Sequence, residues 1–298
     1  MMRGMYAAIS GLEAHQTMLD VTANNLANVD TVAYKAQRTE FVDELSQLVS
    51  SGTGPNNNNA GQNPEQVGLG ALVGSIDNLM SAGSMQSTGV ATDVGIQGNG
   101  FFRVADGTPP ASAPFTAAFN NVQYTRSGDF TTNSLGFLTT QTGMYVIGKN
   151  AVAAGSPPNV TYTPGTNDSY INVPPGSTSV AIGQDGSVSY VDANPSSATY
   201  QQRVTAGYIS MAAFPNEAGL ARDGGSLWSQ SASSGAAVVG TPNTQGFGQT
   251  LGGQLEMSNV DMATEFTNMI EAQRGYQANA SAITTADQML QTVVQMKQ

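Results

Sequence analysis

The stretch VTANNLANVDTVAYK, residues 21–35, crowds three asparagines and an aspartate into the end of a run with helical apolar spacing. Asparagine disfavours helices because its side chain competes for backbone hydrogen bonds. The apolar spacing nevertheless continues to Leu26, which leaves Asn24 and Asn25 on the polar side of a helix. We expect that helix to end between Asn28 and Asp30, where Asn tolerates a left-handed cap. The stretch therefore predicts a joint between a helix and an extended segment.

Both ends of the chain carry apolar residues at alternating steps of three and four, which is the spacing of a coiled-coil seam. In the N-terminal pattern, Gln16 is a polar residue at one of these spaced positions. Near the other end, a Ser258-x-x-Asp261 capping pattern predicts that the second helix begins near Asn259 and runs almost to Gln298. The predicted contact positions, called the seam residues below, are Met5, Ile9, Leu12, Leu19, Leu26, Met262, Phe266, Met269, Tyr276, Ile283, Leu290 and Val294.

The middle of the chain consists of short β-rich runs separated by Gly, Asn and Asp. The dipeptides Asp106-Gly107 and Asp185-Gly186 predict hairpin turns. Residues 50–64 and 153–176 have low complexity and predict loops. The sequence thus predicts an α+β protein, in which terminal helices form a coiled-coil-like core domain and a mainly antiparallel β body lies between them.

This pattern predicts three parts. Residues 1–30 and 255–298 form a discontinuous helical core domain, and residues 31–70 and 240–254 are connecting segments. Residues 71–239 form a β-rich outer domain with a loop-rich insert at about 150–200. The terminal helices pair with each other or with other copies of the chain, or they pack on the β body; periodicity leaves these alternatives open.

Composition excludes several classes of protein. Charged residues make up 10% of the 298 residues and the formal net charge is −11. A nucleic-acid partner needs a basic face, and an anionic membrane surface would be repelled. The chain has no cysteine, no run of 18 apolar residues and no uninterrupted apolar segment of the kind found in signal peptides. We expect no nucleic-acid partner, no membrane insertion and no cleaved ordinary signal.

The sequence offers no convincing catalytic, cofactor or metal residues. Its single histidine, His15, lacks partners at ligand or triad spacing and is predicted to be a plain helix-surface residue. Gly98 and Gly100 form a G-x-G without the third glycine and following helix of a phosphate loop. Carboxylate pairs lie on segments that look structural. We therefore predict a protein that is not an enzyme and has no cofactor.

The two ends together resemble the family of bacterial flagellar rod and hook proteins. In that family a helix runs into an N-N-[IL]-A-N-x-x-T-x-[GA]-[YF]-K element, and the closing helix carries S-N-V-[DN] and A-Q-R-x-[YF]-x-x-N, here at 258–261 and 272–279. Ala33 stands where many members have glycine, which argues against a positive φ there. The joint motif consists of Asn24, Asn25, Asn28, Thr31, Tyr34 and Lys35.

The resemblance implies a structural subunit that leaves the cell by flagellar type III export and polymerises with copies of itself. The implied neighbours are the distal rod, the hook-filament junction, the hook cap and the export apparatus, and the implied location is the flagellum outside the cell. Residues 63–102 and 255–280 look more like hook proteins, which favours the hook, a curved tube that transmits torque. The chain length and the insert at residues 46–66 keep the distal rod of the basal body as the alternative. An unrelated secreted β-rich binding protein is a further alternative.

Overall fold

A computed structural model describes residues 2–52, 54, 61–110, 115, 119–154, 161–195 and 199–296. The chain divides into two compact units. Unit 1 comprises residues 1–29, 36–79 and 260–298, and unit 2 comprises residues 30–35 and 80–259. The predicted α+β class is confirmed, because the described residues contain a long helix near each end and antiparallel strands between them.

Unit 1 holds both long helices and two pairs of strands. The helices are α1 (Met2–Ala27) and α2 (Met262–Gln295), and the strands are β1 (Gln37–Asp43), β2 (Ser46–Ser50), β3 (Glu65–Gly68) and β4 (Ala71–Asn78). β1 pairs with β4 and β2 pairs with β3, both antiparallel. The connection from β2 to β3 falls in the low-complexity stretch 50–64, of which residues 53 and 55–60 lie outside the described part.

Helix α2 begins three residues later than its sequence pattern predicts. Its N-cap is Asp261, whose side chain accepts a hydrogen bond from the Ala263 amide at 3.0 Å. Ser258 lies before the helix, and the Asp261 carboxylate satisfies one of the free amides of the first turn. Helix α1 ends at Ala27, followed by a turn over residues 28–30, as the asparagine-rich stretch predicts.

The helices are antiparallel. Asn25 near the end of α1 contacts Glu265 near the start of α2, and Gly11 near the start of α1 faces Asn279 further along α2. Between these contacts, Gly275 faces the ring of His15. No helix in the described residues combines the length and the apolar character needed to cross a bilayer.

Unit 2 is built from antiparallel strands. They are β5 (Met85–Ser87), β6 (Val94–Gln97), β7 (Phe101–Asp106), β8 (Asn120–Thr125), β9 (Thr131–Thr132), β10 (Leu138–Thr139), β11 (Tyr145–Ala154), β12 (Thr161–Tyr170), β13 (Thr178–Ile182), β14 (Ser187–Val191), β15 (Arg203–Ile209), β16 (Met211–Ala213), β17 (Ala221–Gly224), β18 (Leu227–Ser229), β19 (Val238–Gly240), β20 (Gln249–Gly252) and β21 (Gln254–Glu256). A short 3-10 helix covers Glu217–Gly219.

The principal sheet of unit 2 follows the order β13-β14-β15-β11-β7-β8-β18-β17. β6 pairs with β20 and β5 pairs with β21, so the last two strands of unit 2 lie beside its first two. Two apolar clusters fill the unit. Their fully buried members include Val94, Ile96, Phe102, Val104, Val146, Ile209 and Met211 in one cluster and Phe101, Ala212 and Trp228 in the other.

The hairpin predictions have different outcomes. Asp185-Gly186 lies in the turn between β13 and β14, as predicted. Asp106-Gly107 does not form a two-residue turn, because Asp106 pairs with Asn120 and residues 107–119 connect the two strands. The predicted loop at 153–176 contains all of β12, whose pairing with β11 supplies backbone partners that its Thr- and Asn-rich composition does not indicate. Residues 155–160 lie outside the described part.

Candidate functional site

Asn25 of the joint motif is completely buried in unit 1. Its Oδ1 accepts a hydrogen bond from the Gln37 amide at 2.9 Å, and its Nδ2 donates to the Gln37 carbonyl at 2.8 Å. Nδ2 also donates to Glu265 Oε1 at 3.1 Å. The amide therefore pairs with the backbone of β1 as a neighbouring strand would, and the same side chain joins α1 to α2. A methyl group cannot replace these bonds.

Asn28 explains how α1 stops. Its backbone amide lies 3.2 Å from the Asn24 carbonyl, and its Nδ2 donates to that carbonyl at 2.9 Å. The last carbonyls of a helix have no partner within the helix, so a side-chain donor at this point stabilises the end. The motif asparagines thus satisfy backbone groups where the helix gives way to an extended segment.

Ala33 in unit 2 adopts a left-handed conformation with φ of 56°. The expectation that alanine argues against a positive φ at this position is therefore wrong. The Ala33 amide donates to the Glu256 carbonyl at 2.8 Å, and Ala33 is almost fully buried. Because a left-handed L-residue costs about 1–2 kcal/mol, the surrounding bonds must hold this turn in place.

Lys35, two residues after Ala33, belongs to a buried ion cluster that also contains Glu256 and Arg126. Lys35 Nζ lies 2.5 Å from Glu256 Oε1, and Arg126 Nη1 lies 3.4 Å from Glu256 Oε2. The side chains of Lys35 and Glu256 are 0% exposed and that of Arg126 is 2% exposed. The cluster thus ties residue 35, just after the first helix, to β21, just before the second.

Backbone groups complete the coordination of this cluster. Lys35 Nζ donates to the Ser81 carbonyl at 2.9 Å, and the Gly83 amide donates to Glu256 Oε1 at 2.9 Å. Arg126 Nη2 donates to the Gly98 carbonyl at 2.9 Å. Burial lowers the pKa of Lys35 below its ordinary value, and the Glu256 carboxylate opposes that change. A buried charge of this kind persists only with such partners.

Tyr34 lies beside the ion cluster and packs under a second arginine. The Arg222 guanidinium carbon lies 4.7 Å from the centre of the Tyr34 ring and 4.9 Å from the Trp228 ring. Arg222 Nη2 also donates to the Lys35 carbonyl at 2.5 Å. Thr31 contributes its carbonyl, which accepts a hydrogen bond from the Tyr34 amide at 3.3 Å. Residues 30–35 are therefore fixed within unit 2 by hydrogen bonds, an ion pair and cation–π contacts.

The seam residues of α1 and α2 are partly or largely exposed in the single chain. Met5, Leu12, Leu19, Leu26, Met269, Ile283 and Leu290 are half-buried, and Ile9, Met262, Phe266, Tyr276 and Val294 are exposed. The buried helix positions are Ala8, Ala14, Val21, Thr22 and Asn25 on α1 and Glu265, Ala272 and Ala286 on α2. A role for the seam residues in assembly stays a prediction.

Small residues bring the helices close. A Cβ on Gly275 would lie 2.5 Å from His15 Cε1. The His15 ring also meets Phe41, with ring centroids 5.8 Å apart. His15 is thus half-buried in the helix pair instead of lying on the plain helix surface that its sequence context predicts. The described residues contain no group of three or more metal-ligating side chains.

Sequence reasoning missed the partners of the motif. Glu256 and Glu265 each lie far along the chain from the motif residue that they contact, and Arg126 joins the cluster through Glu256. One signal was present: Lys35 stands between Tyr34 and Ala36. Lysine is rarely buried without a carboxylate, so burial of this segment would require an acidic partner for Lys35. Nothing in the sequence identifies which of the 21 acidic residues supplies it.

Comparison with known families matches most of the chain in three parts. The description "Flagella basal body rod protein" matches residues 5–35, "Flagellar hook protein FlgE/F/G D1 domain" matches residues 95–190, and "Flagellar basal body rod FlgEFG protein C-terminal" matches residues 251–296. The first match includes the whole joint motif with Lys35, and the last includes its ion-pair partner Glu256.

Similar proteins span the full length of the chain. The flagellar basal-body rod protein FlgG of Bacillus subtilis is 38% identical over 298 residues, covering 100% of both chains. FlgG of Agrobacterium fabrum is 36% identical, covering 98% of both chains. The flagellar hook protein FlgE of Borreliella burgdorferi is 28% identical in an alignment of 441 positions that covers both chains completely. The chain belongs to the family of flagellar basal-body rod and hook proteins.

Proposed function

We propose that the chain is the structural subunit of the distal rod of the flagellar basal body. The observation that carries this proposal is the full-length likeness to rod proteins. Relatives named FlgG align over 294 to 299 positions at 31–38% identity, close to the 298 residues of this chain. Relatives named hook protein need 441 and 474 positions, so they contain long segments that this chain lacks.

The preference for the hook, drawn from residues 63–102 and 255–280, is not supported by these comparisons. Hook and rod proteins share the terminal motifs, so the motifs identify the family without separating its members. The insert at residues 46–66, which kept the rod as the alternative, lies on β2, β3 and their connection. The length of the aligned relatives is what favours the rod.

The proposed mechanism is polymerisation, in which neighbouring copies of the chain cover the exposed apolar face of α2. Met262, Phe266 and Ile270 on α2 are each at least half exposed, and they recur every four residues along one face. Apolar burial contributes about 25 cal/mol per Å², so covering this face with a neighbouring copy would stabilise a helical polymer. The neighbouring axial proteins and the flagellar export apparatus are the other proposed partners.

Deletion of the gene followed by electron microscopy of purified basal bodies tests this function. The proposal expects a rod that stops short, with no hook attached. A complete rod that lacks only the hook would instead identify the chain as the hook subunit. Restoring the wild-type gene should return both structures, which controls for effects on neighbouring genes.

A further inference from the structure

Glu265 is a carboxylate buried on the inward face of α2. The residue is 9% exposed, and Oε1 accepts a hydrogen bond from Asn25 Nδ2 at 3.1 Å. It takes part in none of the ion pairs found among the described residues. A buried carboxylate without a cationic partner is costly in its ionised form.

Among the described residues, the side chains that interact with Glu265 are neutral or negative. On α1 the contact is the Asn25 amide, which also bonds the backbone of Gln37 on β1. The next residue of β1, Arg38, pairs with Glu40, and both side chains are about half exposed. On α2 itself, Asp261 precedes Glu265 by one turn and adds negative charge. The partial positive charge of the helix N-terminus favours the anion.

These surroundings have a consequence for stability. Burial raises the pKa of Glu265 above the ordinary 4.5, the Asp261 charge adds to the increase, and hydrogen bonds from Asn25 and Asn268 oppose it. The folded chain therefore keeps this proton at a pH where the unfolded chain has lost it. The stabilising contribution is complete below pH 4.5 and is lost as pH rises through the folded pKa.

We propose that Glu265 makes the helix pair pH-sensitive: its ionised form is a buried charge without a cationic partner and weakens the packing of α1, α2 and β1 around it, and its protonated form removes that cost. The neutral carboxyl keeps an acceptor oxygen for Asn25 and removes the buried charge. This inference concerns the chain itself and does not depend on the proposed position in the rod.

Thermal unfolding of the full-length chain, followed by circular dichroism of the helices from about pH 4 to about pH 8, tests the proposal. Glu265→Gln keeps the acceptor and removes the charge, so it should be more stable than wild type at the upper pH. The folding equilibrium constant of Glu265→Gln, divided by that of wild type, should fall as the pH is lowered. The fall should be about tenfold for each unit by which the fold raises the pKa of Glu265. Glu271→Gln, at an exposed position of the same helix, should follow wild type.

The outcomes that overturn the proposal are specific. Glu265→Gln and wild type changing in parallel with pH would show that this carboxylate is not the sensitive group. Loss of helix in Glu265→Gln at every pH would show that the charge itself is needed. Carbon-13 NMR titration of the wild-type Glu265 carboxyl gives an independent reading on the unaltered chain. A midpoint at or below the ordinary value for glutamate would also overturn the proposal.

Discussion

Lys35 Nζ and Glu256 Oε1 lie 2.5 Å apart although 221 residues of sequence separate them, and neither side chain is exposed. Glu256→Gln would leave Lys35 and Arg126 buried without a counter-charge. We expect this change to reduce the free energy of unfolding of unit 2 by about 3–5 kcal/mol, since the remaining charges stay desolvated. Urea unfolding followed by the fluorescence of the single tryptophan, Trp228, measures this loss.

The matched control is the exposed pair between Arg38 and Glu40, whose side chains are 58% and 48% exposed. Arg38→Gln should change stability by less than about 1 kcal/mol because water screens an exposed pair. Equal effects of Glu256→Gln and Arg38→Gln would contradict the role assigned to the buried ion cluster.

The same pair makes a prediction about fragments. Unit 2 extends to Asn259, so a fragment of residues 30–259 retains Glu256 and β21. A fragment of residues 30–253 loses both and leaves Lys35 without its carboxylate. We expect the longer fragment to unfold cooperatively and the shorter one to show a broad, early transition. Indistinguishable transitions in differential scanning calorimetry would count against this prediction.

Asn25→Ala tests the contact that joins α1, α2 and β1. The change removes two bonds to Gln37 and one to Glu265, and it leaves these groups buried without that partner. We expect a loss of about 2–4 kcal/mol in the stability of unit 1. Asn24→Ala, at an exposed position of the same motif, should cost less than about 0.5 kcal/mol. Helix circular dichroism in a urea titration compares the two, and similar losses would refute the assignment.

Gly275→Leu tests the close approach of the helices. Leucine is the better helix former by about 1 kcal/mol, but its Cβ would meet the His15 ring, which Phe41 contacts in turn. We expect a net loss of about 1–3 kcal/mol from overpacking. A Cβ added at Gly4 on α1 would meet no atom within 4 Å, so Gly4→Leu should keep the gain in helix propensity. A stabilising effect at both positions in thermal unfolding would disprove the crossing.

Ala33 separates the effect of backbone conformation from that of side-chain size. Ala33→Gly relieves the left-handed strain and loses a buried methyl, so it should stay within about 1 kcal/mol of wild type. Ala33→Val places a β-branched residue at φ of 56° and should cost about 2 kcal/mol or more. Urea unfolding of unit 2 provides the comparison. Valine tolerated as well as glycine would mean that the turn changes conformation.

Features that depend on residues close in sequence could be predicted from the sequence. The end of α1 near Asn28 and the Asp185-Gly186 turn follow from side chains that bond nearby backbone, and both predictions are confirmed. The start of α2 was misplaced because Ser258 and Asp261 compete for the same capping role, and only the folded chain shows that Asp261 takes it. Local chemistry therefore gives the elements and leaves some of their boundaries open.

Features that depend on residues far apart in sequence could not be predicted from the sequence. Apolar spacing indicated Leu12 and Phe266 as contact positions, but it did not indicate the close approach of Gly275 to His15 and of Gly11 to Asn279. The apolar seam identifies a face that favours burial without saying which surface covers it. The pairing of Lys35 with Glu256 depends on the whole course of the β strands between them. Ala33 shows the same limit, since bonds from distant residues enforce its positive φ.

Cryo-electron microscopy of intact hook–basal bodies tests the central claim most directly. At side-chain resolution, the density can be matched to this sequence, and Trp228, its single tryptophan, fixes the register. The proposed function predicts that this chain builds the straight distal rod, with the seam residues Phe266 and Met262 covered by neighbouring copies. Finding the chain in the curved hook, with a different protein in the distal rod, would contradict the account.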